Sequence, residues 1–302
     1  MADEIADLIL TPRIVKLTTR TGTDIRRTLP HRRLRMIGAW CFVDHYGPTY
    51  QKDAMSVAAH PHVGLQTVSW LFSGHIEHRD SLGSAQEISP GELNIMTAGH
   101  GISHSELSIA GSAEIHGVQL WTALPESSRD ISPTFSHHEN LPLVETETLS
   151  LRIFIGEMLG ARSPAVIYSP LVGAEIDIAA GSTANLDLDP AFEYGLLHAS
   201  GDISINGSLI EIGYLYYIPA GRTSVNLSSQ DGAKIVLLGG LPFDEKILMW
   251  WNFIGRTHEE IVQMREDWNS QISRFPAFSD RIGGWIPAPD LPNVRLFPRG
   301  NF

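Results

Sequence analysis

His60-Pro61-His62 and His104-Ser105-Glu106 carry three imidazoles and a carboxylate in two pairs, with His62 and His104 42 positions apart. Within each pair the two residues are i and i+2, and on a β-strand such residues project from one face. Two neighbouring strands bearing these pairs would aim three neutral nitrogens and one anionic oxygen at a single point. That donor set suits a divalent first-row metal, and an octahedral ion held by four side chains keeps two positions open for water or substrate. The chemistry implied is that of a reactive metal site. Histidine clustering supports it. Seven of the 13 histidines (His60, His62, His75, His78, His100, His104 and His116) fall within 57 residues, where even scattering would place about two or three.

The elements that must position these residues read as strands. Residues 11–140 show short runs between turn residues: Thr11–Thr19 around Ile14 and Leu17, Val68–Phe72 between Gly64 and Gly74, Glu92–Met96 after Pro90-Gly91, and Ile115–Leu124. Strands at intervals of roughly ten residues predict a sandwich or barrel. A polar, acidic stretch, Ser136–Thr148 around Pro142, reads as a linker. Beyond it, Leu151–Ile155, Ala174–Ile178, Ala184–Leu188, Tyr194–His198, Ile203–Ile205, Leu209–Ile212 and Tyr214–Ile218 have strand character, and Asn206-Gly207 signals a type I′ hairpin. The segment from Thr257 to Ser270 opens with Thr257-His258-Glu259-Glu260, a capping box in which Glu260 would bond back to the Thr257 amide. Ile261, Met264, Trp268 and Ile272 then recur at helical spacing as a core stripe. The tail from Phe275, with five prolines and Gly283-Gly284, reads as an ordered arm. The division expected is residues 1–140 as a metal-binding domain and 141–302 as a metal-free domain with the helix and arm.

Composition narrows the function. A chain of 302 residues with 43% hydrophobic content is large enough for two cores. Its formal charge is −12, and no basic run is longer than His31-Arg32-Arg33-Leu34-Arg35, so no nucleic-acid partner is expected. The single cysteine, Cys41, lies in the apolar run Ile37–Val43, where a thiol is inert; with no second cysteine, a reducing compartment is expected. The acidic start Met1-Ala2-Asp3-Glu4 is unlike a signal peptide, and no apolar run approaches membrane-spanning length. A soluble, cytoplasmic protein without a membrane partner is the expectation.

Read together, His60-Pro-His-Val-Gly64, His78-Arg-Asp-Ser-Leu-Gly83 and Pro90-Gly-Glu-Leu-Asn-Ile-Met-Thr-Ala-Gly-His-Gly-Ile-Ser-His-Ser-Glu106 resemble the pirin family of the cupin superfamily. Looser similarity runs through Phe42-Val-Asp-His-Tyr-Gly-Pro48, Val118-Gln-Leu-Trp121 and Gly239-Gly-Leu-Pro242. The resemblance implies an all-β fold: two cupin barrels (double-stranded β-helix, or jelly roll) with a short C-terminal helix and a metal in the N-terminal barrel alone. It places the ligands on His60, His62, His104 and Glu106, with Fe(2+) the usual ion. It also implies quercetin 2,3-dioxygenase activity, which several members show. In ordinary cupins the carboxylate follows the first histidine pair, where this chain has Gln66 and Thr67; in pirins it comes from the second motif, as Glu106 does.

The reading that follows is a metal-dependent dioxygenase acting on a small aromatic enol such as a flavonol, with dioxygen as co-substrate. Glu106 is its general base, taking the enol proton. His100 is a candidate pocket residue and the next candidate for the base. Gln119 or Ser105 are candidates to hold the far nitrogens of the ligating rings. Asp80 and Ser81 are expected to hold a turn, and His75, His78 and His116 to lie outside the ligand set. Two alternatives share these residues. One is a metal- and redox-dependent regulator that recognises a basic protein partner; the other is a protein merely stabilised by its metal.

Overall fold

The Asn206-Gly207 turn shows how local chemistry sets the architecture. In the computed structural model both residues have positive φ, +47° and +80°, and they join the strands Ile203–Ile205 and Ser208–Ile210 as the type I′ signal requires. The structure describes residues 6–16, 24–49, 56–109, 114–271, 274–276, 278 and 280–301. Leu17 to Thr19 and Ile272 of the expected elements lie outside them. Strands dominate the described residues, and the helix His258–Asn269 is the only α-helix among them. No helix of the described residues is long and apolar enough to cross a membrane.

The chain forms two compact units. One comprises residues 1–14, 26–45 and 138–243. Its seven-stranded sheet runs in the order Leu8–Leu10, Leu215–Ile218, Glu193–Gly201, Ala233–Gly240, Leu171–Ile178, Leu149–Ile155, Leu143–Glu145. Its four-stranded sheet runs Ser182–Asp187, Ser224–Ser229, Ile203–Ile205, Ser208–Ile210. Alternating residues of both sheets, among them Leu151, Ile176, Leu196 and Ile235 opposite Leu186 and Leu227, make one aliphatic core. Cys41 is buried in this unit and forms no disulfide.

The other unit comprises residues 15–25, 46–137 and 244–302. Its four-stranded sheet has the order Ser56–His62, Ile102–Ser108, Ile76–Asp80, Ala85–Ile88. Its larger sheet includes, in order, Thr134–His138, Leu93–Thr97, Leu65–Ser73 and Ile115–Ala123. The strand Ser56–His62 lies at the edge of its sheet, and the C-terminal arm covers that edge: Ala59 bridges to Trp285, and the Ile286 amide donates to the Ala59 carbonyl at 2.8 Å. The arm is ordered by further bonds, including Trp268 Nε1 to the Ile286 carbonyl at 2.8 Å.

Three features differ from the sequence reading. The helix and arm pack in the unit of residues 46–137 rather than with 141–243, because Ile261, Met264 and Trp268 close over Val63, Leu248, Phe253 and Phe275. The stretch expected as a linker takes in the end of the strand Thr134–His138 and the whole of Leu143–Glu145; short edge strands look like loop in sequence. In the capping box, Thr257 Oγ1 accepts from the Glu260 amide at 3.2 Å, but Glu260 accepts from the Arg256 amide at 2.6 Å instead of that of Thr257, while also binding Arg129.

Candidate metal centre

Register brings the two sequence pairs together. Ile102–Ser108 pairs antiparallel with Ser56–His62, setting His104 opposite His60, and on its other side with Ile76–Asp80, setting His104 opposite Asp80 and Glu106 opposite His78. Directly opposed residues share a face, so these side chains all enter the space between the two sheets of the unit. Between His104 and Glu106 the register shifts, Glu106 facing Val57. The extra residue therefore lies in the His60 strand around Ala58 and Ala59, a bulge of the kind that re-aims side chains near functional sites.

His60, His62, His104 and Glu106 are all buried. His62 Nε2 and His104 Nε2 lie 3.0 Å apart, and the His60 and His104 ring centroids are 4.3 Å apart. Ligand atoms of His60, His62 and His104 all fall within 4.8 Å of one another, a cluster able to hold a metal ion. Two ligands at right angles, each about 2.1 Å from one ion, stand about 3 Å apart, which matches the His62–His104 separation. Glu106 forms a second such group with His104 and His78, so His104 belongs to both.

The rings' protonation follows from their partners. His60 Nδ1 is 2.9 Å from the Ala58 carbonyl, which can only accept, so Nδ1 carries the proton and Nε2 keeps its lone pair. Asp80 Oδ2 is 3.1 Å from His78 Nε2, and His78 Nδ1 is 3.2 Å from His104 Nδ1. With His78 neutral, the carboxylate at one end sets the sequence of donors: His78 donates to Asp80, His104 donates to His78, and His104 Nε2 is left as a lone pair toward His62. Burial alone would raise the Asp80 carboxyl, but the His78 ring and the Ser84 groups outweigh it and hold Asp80 below its ordinary value. His62 Nδ1 has no partner among the described residues.

Electrostatics favour neutral rings. Burial lowers His60 to about 4, and burial followed by the neighbouring histidines pushes His62 and His104 well below the usual imidazole range. Metal ligation needs this neutral form. Burial raises Glu106, against the opposing pull of the His78 ring and the Ser69 hydroxyl. Ser69 Oγ lies 3.3 Å from Glu106 Oε1 and 2.9 Å from Gln119 Oε1. Trp121 stands edge-on to His62 with centroids 5.1 Å apart.

The remaining sequence candidates sort plainly. Asp80 holds its turn, accepting from Leu82 and Ser84 amides at 2.9 and 3.0 Å, and Ser81 Oγ accepts from the Ser103 amide. Asp80 also anchors the relay to His104, a role the sequence reading missed although His78-Arg79-Asp80 repeats the i, i+2 spacing. His78 supports His104 from behind, in keeping with the expectation that it lies outside the ligand set. Gln119 meets Ser69 rather than an imidazole, and the Ala58 carbonyl and His78 fill the place expected of Gln119 or Ser105. His100 is exposed. It sits between Gly99 at φ +51° and Gly101 at φ +152° on a turn, which removes it from the pocket and from consideration as the base. His116 is buried against Phe72, and His75 bonds Ser89.

The model of the pirin family matches residues 22–122, and that of the pirin C-terminal cupin domain matches residues 173–276. The chain belongs to the pirin family. This pirin is 42% identical over 273 residues to a Pseudomonas aeruginosa protein provisionally named quercetin 2,3-dioxygenase, an alignment covering 90% of this chain and 87% of the other. It is 36% identical over 280 residues to a pirin-like protein of Caulobacter vibrioides, covering 88% and 94%. A crystal structure of quercetin 2,3-dioxygenase from Acinetobacter baumannii superposes with a TM-score of 0.92 at 38% identity, covering 96% of this pirin and 97% of that chain. The two stacked-sheet units are accordingly cupin barrels.

Proposed function

We propose that this pirin is a metal-dependent dioxygenase acting on flavonol-like enols such as quercetin, with one Fe(2+) held by His60, His62, His104 and Glu106. The observation that carries this reading is the convergence of three buried, neutral imidazoles, two of them with their proton fixed on the far nitrogen. A histidine and carboxylate set with open positions suits Fe(2+), and the names of the 42% and 38% identical relatives support quercetin as the substrate class. When bound, the ion acidifies an enol hydroxyl and brings dioxygen beside it.

The chain's own groups do the rest. Glu106, buried and raised, is a base with affinity for the enol proton at one oxygen, while the Ser69 hydroxyl steadies Oε1. The Asp80–His78 relay keeps the His104 proton on Nδ1. Trp121 walls His62 from water. The test is anaerobic loading with Fe(2+) followed by oxygen-consumption measurements on a panel of flavonols. Turnover that requires iron supports the reading; none across the panel at full iron occupancy overturns it.

The formal charge of −12 supports a second reading, a redox-dependent regulator that recognises a basic protein. Partner affinity that changes with iron oxidation state, with no turnover, would favour it.

A further inference from the structure

Tyr46 is 2% exposed, and its phenol oxygen has no hydrogen-bond partner among the described residues. Such groups are rare because a buried hydroxyl without a partner destabilises the fold. Its position is informative. A Cβ on Gly117 would stand 2.8 Å from the Tyr46 oxygen and 2.6 Å from the Trp70 carbonyl, so the glycine makes room for the phenol. The Cβ direction at Gly117 is that of Gln119 and Trp121, its i+2 and i+4 neighbours on Ile115–Ala123. Gln119 meets Ser69, which reaches Glu106, and Trp121 stands against His62. One face of one strand therefore holds the Tyr46 hydroxyl, the support of Glu106 and the wall of the histidine cluster, in that order.

We propose that Tyr46 is the ligand-orienting donor of the site, its O–H binding a remote hydroxyl of a flat, polyoxygenated aromatic whose enol end lies at Glu106. This rests on the reading of the site as one for flavonol-like enols. Tyr46 then discriminates among flavonols by their remote hydroxyls.

The test uses the full chain loaded with Fe(2+) under anaerobic conditions. Quercetin and 3-hydroxyflavone, which has the enol but no remote hydroxyls, are titrated by visible absorption against wild type and Tyr46→Phe. In Tyr46→Phe, iron content should match wild type and the thermal midpoint of the flavonol-free protein should equal or exceed it, quercetin affinity should fall about tenfold, the scale of one neutral hydrogen bond, and 3-hydroxyflavone affinity should stay the same. Equal quercetin affinity in the two proteins overturns the proposal while leaving the enol reading intact. Loss of iron or of folding in Tyr46→Phe also overturns it, by making the residue structural. Failure of wild type to bind either flavonol sinks the enol reading and this proposal with it.

Discussion

Asp80→Asn reverses the hydrogen-bond relay with almost no change in shape. Asp80 Oδ1 accepts from the Leu82 and Ser84 amides, and Oδ2 faces His78 Nε2 at 3.1 Å. The single amide oxygen of asparagine is claimed by the two backbone donors, so its NH₂ turns to His78. His78 must then accept at Nε2 and carry its proton on Nδ1. His104 Nδ1, 3.2 Å away, becomes the acceptor, and the His104 proton moves to Nε2, the nitrogen 3.0 Å from His62. Both bonds of the relay survive, but His104 now points a proton where it should offer a lone pair. Restoring the ligand requires breaking one of those bonds, so metal affinity should fall about 10–100-fold, or about 1.4–2.7 kcal/mol. The fold should lose about 1 kcal/mol as charge-assisted bonds become neutral ones. Chelator competition under anaerobic conditions gives the affinity, and ¹⁵N-resolved imidazole spectra of the metal-free protein give the His104 tautomer. Affinity within twofold of wild type, with the tautomer unchanged, would refute the reasoning.

His62→Ala removes one of three convergent imidazoles, and elemental analysis after dialysis should show most of the metal gone while circular dichroism keeps the β signature. Glu106→Gln keeps size and one oxygen donor but loses charge and basicity. Turnover per bound iron on a confirmed flavonol should drop about 10²-fold or more, and unchanged turnover per iron would place the base elsewhere. Metal-free protein should lose stability as pH falls. His60 has its folded value at about 4, below the unfolded value near 6.5, so the unfolded chain takes up the proton first. This contribution, about 3 kcal/mol for His60 alone, is present above pH 6.5 and lost as pH falls through 4. Glu106, raised by burial, works in the opposite sense, its share fading as pH rises. Urea midpoints across pH 4–7 that stay flat would contradict the burial of neutral rings.

Spacing pointed to His60, His62 and His104, which the structure gathers in one group, and to Glu106, which it sets in a second group with His104 and His78; i, i+2 pairs need only a strand to share a face. Their supports were harder to see. The Ala58 carbonyl reaches His60 through a backbone bulge that no residue type announces, and Tyr46 enters from a strand distant in sequence, with Gly117 as the only local trace. His78-Arg79-Asp80 carried the same spacing signal as the ligand pairs but read as turn chemistry, since Asp80 does hold a turn as well. The strands of residues 151–218 were visible from alternation and the Asn206-Gly207 turn. Periodicity marked Ile261, Met264 and Trp268 as a buried stripe, yet it does not say which unit provides the opposing surface, so the helix was set with the wrong neighbours in space.

That placement bears on how the protein is made. Every residue of the aliphatic unit has left the ribosome's peptidyl-transfer centre by residue 243, whereas the histidine-bearing unit waits for residues 244–302. The usual order of synthesis, N-terminal structure first, is inverted for the site. During that interval Ser56–His62 lacks the Trp285–Ile286 segment that covers its edge. Nascent chains stalled well past residue 243 should show residues 138–243 resistant to brief proteolysis and residues 56–108 still cleaved. Closure of the histidine cluster is therefore expected to be a late step of folding, following that of residues 138–243, when Trp285 and Ile286 cover the strand that carries His60 and His62.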